Sequence, residues 1–580
     1  MKTEKLVYTV FTKKFGISLK ADASRFLVSC IKNASQDSEL ATEWLESIAS
    51  EWTQLDNSCL LVELEALKDL LKKMSQQASN SFGLTHSVPN SENVTESYDI
   101  SKKSNLNKLD EKNFFSVVDA YDVPQLWYDS SKSIFVTPDL LPKFANSQNK
   151  AIGGKSNNLS DIHSKNTNKI KYSGLITSPE IKAGMFRQRY DTIRQLLQRN
   201  ETYLRETSLG NTWNNNVFVD TIGSIKGREN QTFVIFGMIT QIEEGFYHIE
   251  DKDHIIKLDL SQMKLEKKNY SGIITRDSFV LIEGNLNDDV FVVDSIMQPP
   301  AEPRTKSVSY YKGTDFFGGP EFTQDNVTLQ AIEALDDNGI IVFVSEIWLD
   351  KSEVLEQLKK LFSGFLSSRL PLAFVFIGNF NSIPYTPGNI SIIQYQENMN
   401  KLADLILEFP EIAKQCYFVF VPGPGDPWAN FTLPYEPLPS FITDRFKTRI
   451  PKSIFTTNPC RIKFCTQEIT VFRQDLVKKM RRNCVLWPNG KDEIFEEHVV
   501  KTLINQSHLS PLPTKVSPVF WGYDHTLRIY PTPHLIVLAD EFEPYDVCYN
   551  GALAINPGSF SCNGFRFSVY LPSTKTTQLR

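Results

Sequence analysis

The sequence has no run of about 18 apolar residues, so nothing in it reads as a helix able to cross a bilayer. Its opening, MKTEKLVYTVFTKKFG, interrupts apolar residues with lysines instead of building a signal-peptide core, which predicts a soluble, non-secreted protein. Cysteine is sparse and scattered. Cys30, Cys59, Cys416, Cys460, Cys465, Cys484, Cys548 and Cys562 form no CxxC pair, and no histidine stands at zinc-finger spacing. A reducing compartment, cytosol or nucleus, is therefore expected. Cys460 and Cys465 are the closest pair, and the apolar alternation around them reads as two cysteines packed in strands in preference to a metal site. Asn93-Val94-Thr95 fits the glycosylation pattern, which carries no weight without a secretion signal. An excess of positive charge is also missing. Lys plus Arg number 62 against 68 Asp plus Glu, a net charge of −6, which excludes a protein that coats nucleic acid with its whole surface. Any contact with DNA is local or made through a partner.

What is present is ordinary globular material: 580 residues, 41% hydrophobic and 22% charged, enough for three to five folding units. The 39 Phe and 30 Pro favour sheets with many turns over a helical bundle. Residues 1–75 carry apolar positions at helical spacing, among them Val7, Val10 and Phe11, then Leu60, Leu64, Leu67 and Leu71, and predict a helical domain of four or five helices. Residues 76–112 turn to Ser, Asn, Lys and Glu and read as a flexible linker. Residues 113–143 form an apolar island with Trp127 and Tyr128, too short to fold alone and expected to lie as a strap on another domain. Residues 144–173 are a second Asn/Ser-rich linker. Residues 174–208 predict one amphipathic helix, started at Thr177-Ser178-Pro179-Glu180, with Phe186, Tyr190, Ile193 and Leu197 on one face.

Residues 209–302 show five short strands, FVIFGMITQI, GFYHIE, IIKLDL, SFVLIEG and DVFVVDSI, separated by turns, a pattern that suits an OB-fold β-barrel. From 303 to 580 apolar strands alternate with amphipathic helices, which predicts an α/β layered domain whose functional groups sit at strand ends. The whole chain is thus expected to be an α+β multidomain protein. The strand ends are Val344-Ser345-Glu346-Ile347-Trp348, Gly378-Asn379-Phe380 and Pro422-Gly423-Pro424-Gly425-Asp426. Their series resembles the metal motifs of calcineurin-like phosphoesterases, in which Asp-x-His, Gly-Asp-x-x-Asp and Gly-Asn-His-Asp/Glu hold two metals. Here Glu346 stands for the Asp, Trp348 for the His and Asn379 for the bridging Asp, while Pro424 and Gly425 stand for Asn-His. The late Gly-His-x-His element falls near Ala539-Asp540-Glu541-Phe542, without histidine. A two-metal site needs carboxylate and imidazole lone pairs, and Trp, Pro and Gly supply none. Glu346, Asp426 and Asp540 or Glu541 are the remaining ligand candidates. An inactive phosphoesterase domain, with no catalytic residues, metal or cofactor, is expected. His508 in SHLSPLP is the best leftover ligand or acid, and a lone histidine is more often structural.

A barrel followed by such a domain, together with Phe316-Phe317-Gly318-Gly319-Pro320, FTTNPCRIKFCTQEITVFRQDL and AINPGSF, resembles the B-subunit family of replicative DNA polymerases. The leading helical domain and YDVPQLWY resemble the epsilon branch of that family in particular. The resemblance implies a noncatalytic scaffold in the nucleus. It also implies two partners, the C-terminal zinc-containing region of the catalytic subunit of DNA polymerase epsilon, and the GINS component of the replicative helicase, held through residues 1–75. DNA would then be contacted mainly indirectly.

A single-strand-binding barrel is a competing function and needs a basic groove with stacking aromatics. Residues 213–300 hold 8 Lys and Arg against 14 Asp and Glu, so the barrel is acidic. Phe246 and Tyr247 are the aromatics that would stack on bases, and core packing is the favoured alternative. Lys478, Lys479, Arg481 and Arg482 end a helix that begins after Asp475, where cations complement the helix dipole; contact with DNA is the other reading. Among scaffold, phosphoesterase and single-strand binder, the scaffold is favoured.

Overall fold

The structure, a computed structural model, describes residues 9–14, 18–20, 27, 61–62, 114–137, 177–203, 218–229, 231–261, 263, 272–322, 326–335, 339–386, 392–429, 431–488 and 494–580. The chain divides into two compact units, Met1–Ser104 and Asn105–Arg580. In the first, Val10, Phe11 and Leu27 are buried, and Ser18–Leu19 pairs in parallel with Leu61–Val62. That strand pair corrects the purely helical expectation for residues 1–75. Two-residue strands are too short to produce a period-2 signal, so apolar spacing cannot reveal them. Apart from a helical turn at Thr9–Lys14 and Lys20, the remainder of residues 1–75 and the expected linkers at 76–112 and 144–173 lie outside the described residues.

In the second unit, Pro179 opens a helix that runs to Arg199, shorter than the interval 174–208 expected from sequence. Its face of Tyr190, Ile193 and Leu197 packs on Phe236, Met238, Phe279 and Leu281. Those residues belong to the strands Thr232–Thr240 and Phe279–Asn287, whose alternate residues Ile235, Val280 and Ile282 point the other way into a barrel core. Tyr247–Glu250, Ile255–Asp259 and Val290–Met297 complete the barrel. Antiparallel pairing joins successive strands, Val290–Met297 runs parallel to Ile255–Asp259, and Phe279–Asn287 returns to Thr232–Thr240, so five strands close without a free edge. Tyr247 packs against the barrel core, as favoured. Phe246 does not; it is 46% exposed with the Lys257 ammonium 3.3 Å from its ring centroid. It precedes the strand, outside the alternation that would have turned it inward.

The rest of the unit is built from two six-stranded sheets. In the first, Ile341–Ser345, Ala373–Ile377, Tyr417–Val421 and Ser453–Phe455 run parallel, and Ser568–Leu571 and Thr576–Leu579 extend one edge. In the second, Gln467–Arg473, Leu535–Ala539 and Ala552–Asn556 are parallel neighbours with antiparallel strands on either side. One face of each sheet meets the other through Phe343, Val375, Val419, Ile462, Val471 and Val537. The opposite faces receive helices. Phe374, Phe376 and Phe418 pack beneath Ser352–Ser367 and Ile392–Leu407, and Phe472, Ile536 and Leu538 beneath Phe495–Asn505. Burial on both faces explains the unbroken apolar runs AFVFI and YFVFV.

The strap is part of this architecture. Phe115–Asp119 pairs antiparallel with Cys460–Phe464 and becomes the edge strand of the second sheet. Further on, Phe135 meets Tyr128, Tyr311, Phe316 and Tyr530 at ring-centroid distances of 4.9–5.9 Å. Gly318 has φ +81°, and a Cβ there would lie 2.7 Å from the Asp122 carbonyl oxygen, so glycine is what lets this loop run against the strap. Cys460 is buried in its strand, and burial pushes its thiol well above the ordinary range. Cys465 is buried too, but in the turn between strands, with φ +50°, not in a strand.

Barrel and sheets are joined by buried polar groups. Gly272 and Ile273 donate backbone N–H groups to His498 Nδ1 (3.1 Å) and Thr502 Oγ1 (2.7 Å). The Gln506 amide pairs with both backbone groups of Phe279, each at 2.8 Å, as a neighbouring strand would. Gln506→Ala leaves a buried donor and a buried acceptor unsatisfied, at about 1–3 kcal/mol per group. The expected outcome is a lowered denaturant midpoint, with faster proteolysis at residues 299–303, where the barrel leads into the sheets. An unchanged midpoint would show that the joint does not depend on this amide.

Candidate functional site at the strand ends

The strands Ile341–Ser345, Ala373–Ile377, Tyr417–Val421, Gln467–Arg473 and Leu535–Ala539 bring their C-terminal ends to one place, and the polar groups predicted from sequence do converge there. Glu346 is 2% exposed, at φ +59°. Its Oε1 accepts from the Asn379 side-chain amide (2.9 Å) and backbone N–H (3.2 Å), and its Oε2 accepts from the Trp348 indole (3.2 Å). The Asn379 carbonyl oxygen accepts from the Gly425 N–H at 2.7 Å. Asp426 accepts from the N–H groups of Phe380 (2.9 Å) and Gly423 (2.8 Å) and from the Tyr395 hydroxyl (2.9 Å). Gly378 lets the strand ends approach, since a Cβ there would sit 1.9 Å from Asp426 Oδ2. Asp540 accepts from the N–H groups of Val477 (2.9 Å) and Phe542 (3.1 Å), while Glu541 is largely exposed.

The central group of the site is one that sequence reasoning missed. Arg473, the last residue of its strand, is fully buried and places its guanidinium among these ends. Nη2 donates to Glu346 Oε1 (2.6 Å), Nη1 to Asp475 Oδ1 (2.6 Å) and Nε to the Gly378 carbonyl (2.9 Å), and Glu541 lies 3.9 Å away. Burial alone would lower its pKa; Asp475 and Glu346 outweigh that and hold it above the ordinary arginine range. Burial raises the Asp426 carboxyl to about 6 against the hydrogen bonds that favour its ionised form, and it raises Asp540 to about 6 as well. Glu346 and Asp475 thus face a fixed internal cation, while Asp426 and Asp540 face backbone N–H donors. One signal was available in the sequence, an arginine at a strand end in VFRQD, but only the fold reveals which strand ends meet.

His508 is elsewhere. It is buried, takes the Ser510 N–H on Nδ1 (3.0 Å), and sets Nε2 3.3 Å from Asp524, which also forms an ion pair with Arg189. Burial lowers its pKa, so it is a neutral packing histidine. Among the described residues, no three His, Cys, Asp or Glu side chains group as a metal site.

A family model for the B subunits of DNA polymerases alpha and epsilon matches residues 341–547, and one for the OB-fold domain of DNA polymerase epsilon subunit 2-like proteins matches residues 179–300. Fold and match together define the class, a B-type accessory subunit of a replicative DNA polymerase. DNA polymerase epsilon subunit 2 of Homo sapiens is 38% identical over 80% of this chain and 82% of its own length. The B subunit of the same polymerase from Arabidopsis thaliana is 32% identical over 90% and 92%, and that from Saccharomyces cerevisiae 24% over 99% and 96%. The chain belongs to the DNA polymerase epsilon subunit 2 family, whose members are also called B subunits. A solved structure described as a novel archaeal phosphodiesterase aligns over 42% of this chain and 98% of that one, at 10% identity and a TM-score of 0.24, too slight a likeness to bear on function.

Arg473→Ala would leave Glu346 and Asp475 without their cation, and breaking such a buried pair typically costs about 3–5 kcal/mol. Arg473→Lys keeps the charge but loses the planar fork, so an intermediate loss is expected. Chemical denaturation of the three proteins checks both, and equal stability of all three would remove Arg473 from its central place.

Proposed function

We propose that this chain is a noncatalytic accessory subunit of DNA polymerase epsilon that acts in the nucleus as a scaffold. It holds the C-terminal, zinc-containing region of the catalytic subunit and links it to the replicative helicase, with residues 1–75 docking on GINS. The observation that carries the proposal is Arg473. A guanidinium seated among Glu346, Asp475 and the Gly378 carbonyl supplies the positive charge that a pair of metal ions would bring to a phosphoesterase. A guanidinium generates no hydroxide nucleophile, and the positions of Trp348, Asn379, Pro424 and Gly425 lack the imidazole and carboxylate donors that would hold metals in its place. The strand ends then serve as a rigid platform for a protein partner. The division of the chain into two compact units supports two separable contacts, one for each partner.

Two measurements check this. The purified protein is expected to hold no near-stoichiometric manganese, iron or zinc and to hydrolyse phosphodiesters at background; metal-dependent turnover abolished by Asp426→Ala would overturn the noncatalytic assignment. Deleting residues 1–75 is expected to spare copurification with the C-terminal region of the catalytic subunit and to abolish binding to GINS. The opposite pattern would exchange the partners of the two units.

A further inference from the structure

The helix Leu476–Arg482 leaves the Arg473 site and ends in a basic turn. The strand Cys484–Leu486 comes after it and pairs with Ile274–Thr275 beside the barrel. Trp487 is next, and its ring stacks on Phe495 at a centroid distance of 5.4 Å and an interplanar angle of 22°. The stack is not enclosed. Trp487 is 52% exposed, and Ile494 beside Phe495 is 65% exposed. The Arg481 guanidinium lies 5.8 Å from the Trp487 centroid and 5.7 Å from that of Phe495. Arg481 and Arg482 are both exposed, and neither makes a salt bridge among the described residues. Lys478 and Lys479 face the acidic groups Glu541 and Asp475, which offset their charge.

We propose that Trp487, with Arg481 and Arg482, is a docking point for single-stranded DNA, one base stacking on the indole and the flanking phosphates meeting the two guanidinium groups. A helix dipole accounts for cations in the last turn but not for a half-exposed indole stacked beside them. A flat aromatic face with adjacent arginines is complementary to a base and its phosphates. The strand must be single, because bases in a duplex already stack on one another and offer no free face. The site is local, as an acidic chain requires, and lies outside the acidic barrel that sequence made the first candidate for such binding. It is independent of the polymerase and helicase contacts proposed above.

The test uses the full-length protein and a fluorescein-labelled dT12 oligonucleotide, with anisotropy titrations between 50 and 200 mM salt. Trp487→Ala is expected to weaken binding about tenfold, the order of one stacked base, and Trp487→Phe to retain most of it. Arg481→Ala with Arg482→Ala is expected to flatten the slope of log affinity against log salt by about 1.4, two single-strand phosphate contacts. Photocrosslinking of iodouridine-substituted oligonucleotide to wild-type protein, mapped by mass spectrometry, is expected to mark Trp487 and does not depend on how any variant folds. Absence of binding at 50 mM salt, or crosslinks only elsewhere, would overturn the proposal. So would a Trp487→Ala protein that keeps its DNA affinity while losing copurification with the catalytic subunit, since that result assigns the patch to a protein partner.

Discussion

A fully buried guanidinium is tolerated only if its charge and its N–H donors are matched, because moving an unpaired ion out of water costs several kcal/mol even after the protein relaxes. Arg473 meets that demand with acceptors from different elements: Glu346 after one strand, the Gly378 carbonyl after the next, and Asp475 at the start of the following helix. Glu346 belongs to the first sheet and Arg473 to the second, so the ion pair fixes the sheets against each other at the edge where apolar packing ends. Asn379, Gly425 and Asp426 are held in register by the same hydrogen-bonded shell.

A site arranged in this way differs from a metal centre in what its acids face. A metal centre needs lone pairs directed at an exchangeable ion and a position left for water. Here Glu346 and Asp426 direct both of their oxygens at internal donors, and the positive charge is covalently part of the chain. For the scaffold role proposed above, the same rigidity suits a surface that presents a constant shape to another protein, since pre-organised surfaces lose less entropy on association.

The barrel is attached by equally specific means. A glutamine side chain imitating a β-strand, a histidine and a threonine satisfy backbone groups of residues 272–279, and the buried Arg189–Asp524 pair ties the helix Pro179–Arg199 to the 3-10 helix Trp521–Leu527. Because these contacts are polar and buried, they specify one relative placement where apolar packing alone would tolerate several. The strap adds an edge strand to the same body, so segments distant in sequence form one compact unit.

Sequence alone determined the barrel strands, the helix that opens at Pro179 and the alternating strands and helices beyond residue 303, because apolar periodicity and turn residues are local properties. It also showed that Trp348, Asn379, Pro424 and Gly425 carry no imidazole or carboxylate, since side-chain chemistry is visible without coordinates. It did not show the short strands at Ser18–Leu19 and Leu61–Val62, the exposure of Phe246, or the place of Cys465 in a turn, where the signal is too short or falls between elements. Only the tertiary structure decided that Arg473 is the cation of the strand-end site and that Trp487 stacks on Phe495. Arg473 and Glu346 are 127 residues apart, and their meeting depends on how two sheets pack. Pairing across that distance is a property of packing in three dimensions, which no local pattern encodes.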